Sequence, residues 1–110
     1  MKNKKQTRRD FKNSVFKRDG FKCVFCNFGP FLENPEIYFD AHHITDRNEM
    51  PNGGYHESNG ITLCKEECHI KAERFHITEG KEWEDGMHPD DLYEMIGSSK
   101  ELAIKNSELL

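Results

Sequence analysis

Apolar residues are sparse in this 110-residue chain, and where they cluster their spacing predicts short elements. Phe11, Val15 and Phe16 share one helical face, and Asp10 stands at a capping position, which predicts a helix over 11–18. Residues 1–9 have no apolar periodicity and are expected to be disordered. Asp19-Gly20 turns the chain, and Phe21–Cys26 reads as a strand entering a metal knuckle. Gly29-Pro30 and Asn34-Pro35 mark a loop. Ile37-Tyr38-Phe39 opens a strand that ends in the pair His42-His43. Residues 45–58 are polar, with a turn at Pro51–Gly54, and a loop of that length is usually functional. Ile61-Thr62-Leu63 is a second short strand, followed by a helix over 65–76. After a break at Thr78-Glu79-Gly80, Pro89 and two aspartates begin a helix through Ile96. Gly97-Ser98-Ser99 separates it from a last helix over 100–109.

This length suits one domain with a limited core, the kind that often depends on a staple. No apolar run is long enough to span a bilayer, and the basic start leads into no apolar segment of the secretory kind. The expected compartment is therefore a reducing cytoplasm. The net charge of −4 conceals an asymmetry: residues 1–22 hold nine Lys/Arg against two Asp, the rest seven Lys/Arg against eighteen acidic residues. The overall acidity does not suggest a nucleic-acid partner, but the basic arm does, with Lys4, Lys5, Arg8 and Arg9 as phosphate contacts. The plain alternative is a solvated leader.

Four cysteines form two close pairs, Cys23-x2-Cys26 and Cys64-x3-Cys68. Four thiolates so spaced suit one tetrahedral zinc that staples a small fold. A redox dithiol at Cys23–Cys26 would not need the second pair, and four merely buried cysteines would fall into pairs only by coincidence.

Between and beside these pairs lie Asp40-Ala41-His42-His43-Ile44, then Asn59 ahead of the second strand, then Cys68-His69. In that order these residues resemble the HNH endonuclease signature, over about residues 8–76. The resemblance implies an α+β fold, a small ββα-metal (HNH, or His-Me finger) domain stapled by structural zinc with flanking helices. It implies metal-dependent hydrolysis of DNA phosphodiesters, leaving 5′-phosphate and 3′-hydroxyl ends. It implies His42 and His69 as ligands of a divalent ion, His43 as general base, and Asn59 hydrogen-bonded to His43 to orient it. Small proteins of this look are common in bacteriophages and prophages, some beside DNA-packaging (terminase) proteins.

Glu73 follows His69 by one helical turn on the same face and is a candidate third ligand. The family often carries histidine there, and a carboxylate would favour magnesium or manganese, with nickel a further candidate. Cys68 and His69 lie about 100° apart around a helix, so one helix can present them to two ions. His42 and His43 can both serve one phosphate only if their strand ends or bends there, because neighbours on a strand face opposite ways. His76 lies about 10.5 Å along the helix from His69, too far to share an ion, and is a candidate phosphate contact. Arg47, Lys71 and Arg74 are others. His56 and His88 carry no assigned role.

The expected organisation is a basic arm (1–9), the nuclease domain (10–78) and a helical extension packed on it (79–110). Two other readings stay open: a non-catalytic zinc-stapled nucleic-acid-binding module, and a protein-interaction domain using the acidic C-terminal part around Trp83, Leu92, Tyr93 and Ile96.

Overall fold

The side chain of Asn3 accepts a hydrogen bond from the Gln6 amide (2.8 Å) and caps helix α1, which runs Lys4–Arg18 in the computed structural model, where residues 2–110 are described. This corrects the expectation of a disordered arm. Residue 1 lies outside the described residues, and residues 4–9 form the first turns of α1. Lys, Gln and Arg are good helix formers, so the turn propagates from its cap without an apolar face. Lys4 and Lys5 at the positive helix end cost about 0.3–1 kcal/mol each. Phe11, Val15 and Phe16 are all buried, and burying a large apolar side chain stabilises by about 1.5–3 kcal/mol. The buried end therefore holds the helix.

Two antiparallel strands form the sheet, β1 (Phe39–His43) and β2 (Gly60–Cys64), with His42 opposite Ile61 and His43 opposite Gly60. Strand β1 starts later than Ile37 because Pro35–Ile37 forms a 3-10 turn. Every residue of β2 is buried, with α1 seated against it. A Cβ on Gly60 would lie 2.5 Å from Val15 Cγ2 and 2.7 Å from Phe11 Cζ, so α1 reaches the strand only because residue 60 is glycine. Asp19 accepts from the Thr62 amide (2.9 Å), and Arg18 donates to the Glu57 and Gly60 carbonyls. These bonds lock the end of α1 to the sheet.

Residues 21–26 are not a strand but tight turns, with Phe21 at φ 60° and one sheet-like bond from the Val24 amide to the Thr62 carbonyl. The long polar connection from β1 to β2 is organised by three 3-10 turns, Arg47–Glu49, Pro51–Gly54 and Glu57–Asn59. Helix α2 (Cys68–Ile77) begins three residues later than expected, where the Cys64 sulfur accepts from the Cys68 amide (3.2 Å). The chain first wraps around one cysteine and only then becomes helical.

Helices α3 (Pro89–Met95) and α4 (Lys100–Glu108) complete the mixed α/β fold. Met87, Leu92, Tyr93 and Ala103 join Phe39, Ile44, Ile61 and Leu63 in one core, whereas Trp83 is about half exposed. Helix α4 packs on the turns at 51–54 and 57–59, tied by Asn52 to the Ser107 carbonyl (2.9 Å) and by Asn106 to Ser58. Among the described residues no helix is long and apolar enough to cross a membrane.

Candidate functional site

The knuckle at 23–26 and the turn between β2 and α2 bring Cys23, Cys26, Cys64 and Cys68 together, with one sulfur from each lying within 4.8 Å of the others. The Cys26 and Cys64 sulfurs are 3.9 Å apart. Zinc–sulfur bonds of about 2.3 Å in a tetrahedron put sulfurs about 3.8 Å apart, so the set fits that ion. Four thiols this close cannot all ionise on their own. Burial, with the neighbouring Cys64 and Cys23, pushes Cys68 well above the ordinary thiol range. Cys23 is buried too, but backbone amides of Cys26 and Cys64 bring it below that range. These four cysteines could hold a metal ion such as zinc.

A second cluster joins β1 to α2. His42 Nδ1 and His69 Nε2 both donate to Oε1 of Glu73, at 3.1 and 3.0 Å. Ligand atoms from the three residues lie within 4.8 Å of one another. Strand alternation sends Asp40 and His42 to the face that meets α2, and the helical repeat stacks His69 under Glu73. Asp40 Oδ2 accepts from His69 Nδ1 at 2.7 Å. A carboxylate on the outer nitrogen of a histidine is the usual support of a metal ligand, fixing ring and tautomer. Burial lowers the His42 pKa, most strongly, against the raising effect of Glu73. Burial also opposes charge on His69, but hydrogen bonds to Asp40 and Glu73 overcome it and raise the pKa to about 9. Bonds from His42 and His69 hold Glu73 far below the ordinary carboxylate range. Two ring nitrogens aimed at one ionised oxygen are what a divalent cation would find. The set of two imidazoles and one carboxylate suits such an ion.

His43 faces the other way. The two histidines do lie on opposite faces, since β1 remains paired through His43 opposite Gly60. The imidazole of His43 stacks on Phe11 (centroids 4.6 Å apart, planes 24°) and meets Tyr55 edge-on (4.9 Å, 88°). Burial, then the charges of His42 and Arg47, lower its pKa to about 4. Its Nε2 is buried with no hydrogen-bond partner among the described residues. Beside it Tyr55 Oη accepts from Arg47 Nη1 (3.1 Å). Burial raises the Tyr55 pKa, but Arg47 and Arg8 bring it below the ordinary phenol range. His43 and His69 open onto one groove of about 340 Å³, whose walls include Arg8, Lys12, Arg47 and Tyr55.

Asn59 does not bond to His43, which corrects the orienting hydrogen bond expected from the sequence. Its carboxamide is fully buried and spans the base of the loop. Oδ1 accepts from the Thr45 amide (3.0 Å) and the Tyr93 hydroxyl (2.7 Å), while Nδ2 donates to the carbonyls of Thr45 (3.1 Å) and Gly54 (3.2 Å). A Cβ on Gly54 would stand 2.6 Å from that Nδ2. Asn59 therefore fixes the backbone two residues after His43 and one residue before Tyr55. Thr45 and Tyr93 share a further hydroxyl bond of 2.7 Å.

The candidate cations separate. Arg8 and Arg47 line the groove, while Lys4 lines a neighbouring hollow with Asn52 and Tyr55. Lys5 and Arg9 are exposed and line neither. Lys71 and Arg74 pair with Glu67 and Glu82. His76 donates to the His43 carbonyl (2.9 Å) and stacks on His42, a structural role rather than a phosphate contact. His56 and His88 accept from nearby amides and cap short elements. Sequence reading gave no role to Lys12 or Tyr55, quoted Asp40 only as part of the motif, and placed Tyr93 on a possible interaction surface rather than on Asn59. Asp40 alone had a local signal, standing two residues before His42 on the same strand face. Compared with known proteins, the chain matches no family model, no curated protein and no solved structure.

Proposed function

We propose that this chain is a metal-dependent DNA endonuclease of the ββα-metal type, hydrolysing phosphodiesters. The observation that carries the proposal is the joining of two unlike groups by one strand. On one face of β1, His42 meets His69 and Glu73, with Asp40 behind His69; from the other, the uncharged imidazole of His43 opens onto a cationic groove that His69 also lines, so ion and base would meet there although the strand does not bend.

In this reading a divalent ion held by His42, His69 and Glu73 would polarise the phosphate and offset charge on the leaving 3′ oxygen. His43 takes a proton from the attacking water at Nδ1, since its Nε2 is buried. At pH 7 it lies far above its lowered pKa of about 4, so it is in the accepting form. Phe11 and Tyr55 hold its ring, and Arg8 and Arg47 hold backbone phosphates without reading bases. Asp40 keeps Nδ1 of His69 as a donor, which leaves Nε2 for the ion. Zinc on the four cysteines would fix the knuckle against α2 and take no part in the chemistry.

The test is supercoiled plasmid incubated with wild type and His43→Ala, in magnesium, manganese or nickel and with chelator. Wild type should cut only with an ion. His43→Ala should keep its fold and zinc and lose about two to four orders of magnitude in rate, the usual worth of a positioned base. Equal cutting by both proteins removes His43 from the mechanism. No cutting by folded, zinc-loaded wild type under any ion turns the reading toward a nucleic-acid-binding module.

A further inference from the structure

Asn59 sits too far round the loop base to touch the imidazole it was expected to orient, so something else must hold His43. Two groups border that ring, Phe11 on its face and Tyr55 on its edge, while His76 bonds only the His43 carbonyl. Phe11 and His76 have no polar atom in the groove. Tyr55 does, because its ring packs on His43 and Phe11 while its hydroxyl accepts from Arg47 and borders the groove beside Arg8. With a lone pair accepting the guanidinium N–H, that hydroxyl keeps its own proton to donate. One phenol thus touches both the candidate base and the candidate phosphate-binding cations.

We infer that Tyr55 is the positioning residue for His43, and that its hydroxyl forms with Arg47 and Arg8 a subsite for a non-reacting backbone phosphate of the DNA. The inference rests on the nuclease reading and deepens it. Asn59 acts at one remove, by tying the Gly54 carbonyl immediately before Tyr55 and both backbone groups of Thr45 after His43. The hydroxyl serves the phosphate and the ring sets the imidazole, so one side chain contributes to binding and to aiming by separate parts. A rotation of His43 that moves its nitrogen by about 1 Å is enough to cost up to about 100-fold in rate.

The two parts of Tyr55 can be removed separately. Tyr55→Phe keeps the ring and deletes the hydroxyl; Tyr55→Leu deletes both. Each is assayed on a labelled duplex with manganese, after its zinc content and circular dichroism are shown to match wild type. Tyr55→Phe should raise KM about ten-fold or more, the worth of a hydrogen bond to a charged group, with kcat near wild type. Tyr55→Leu should lower kcat about 10- to 100-fold as well, so phenylalanine rescues kcat but not KM. A purely structural tyrosine would not split the constants this way. Equal kcat for Tyr55→Leu and wild type overturns the positioning role, and an unchanged KM in Tyr55→Phe overturns the phosphate subsite. Either result can occur in a wild type that cuts, leaving the nuclease reading standing; a folded wild type that never cuts overturns both.

Discussion

Protonation of His69 sets a measurable condition on ion binding. In the chain as folded, Nδ1 of His69 donates to Asp40 and Nε2 to Glu73, and the ring titrates at about 9. A cation at Nε2 must displace that proton. His42 is buried and lowered, so it is already neutral at pH 7 and can bind by exchanging tautomer, with no net proton lost. Glu73 is already ionised. One ion should therefore release about one proton at pH 7, and that proton comes from His69. Two pH units below its pKa, about one molecule in a hundred has the free nitrogen, which weakens binding by about 2.7 kcal/mol at 1.36 kcal/mol per unit. Affinity for manganese should rise about ten-fold from pH 7 to pH 8 and level off above about 9. Calorimetry on zinc-loaded protein, in two buffers of different ionisation enthalpy, counts the proton directly. Asp40→Asn should lower the His69 pKa and move the plateau to lower pH, while costing about 10- to 100-fold in affinity at the plateau. An affinity flat from pH 6.5 to 8.5, or no proton released at pH 7, would refute the role given to His69.

Cys26→Ser should release zinc and destabilise the fold by about 4 kcal/mol or more, the range of metal-site losses, read by metal analysis and urea unfolding. Tyr93→Phe removes a buried hydroxyl bonded to Thr45 and Asn59 and should cost about 1–3 kcal/mol; adding Thr45→Val should recover part of it, because both partners then become apolar. Additive losses in that cycle would show that the two hydroxyls do not work as a pair. Arg8→Ala should flatten the salt dependence of DNA binding by about 0.9 in log–log slope, and Arg9→Ala should leave it nearly unchanged, since only Arg8 lines the groove.

Spacing made much of the site legible. Cys23, Cys26, Cys64 and Cys68 converge as their two pairs suggested, and His69 with Glu73 follows from one helical turn. Partners supplied by distant loops were not legible. Tyr55 reaches His43 only because the 3-10 turns fold the polar loop back over α1, and no periodicity encodes that. Asn59 was assigned the wrong partner because a short carboxamide bonds whatever the loop closure brings to it, here Thr45, Gly54 and Tyr93. The helical start at Lys4–Arg9 was missed for another reason. Periodicity detects a buried face, and those turns are held by a cap and by intrinsic propensity.

Helix α2 opens with Cys68 and His69 in succession, one turned to the sulfur cluster and the next to the imidazole–carboxylate cluster. A rigid first turn cannot orient one without orienting the other. Occupancy of the two candidate cation sites would therefore be linked. Zinc that fixes the turn would lower the entropy an ion must overcome at His69, and by reciprocity an ion at His69 would tighten zinc binding by the same free energy.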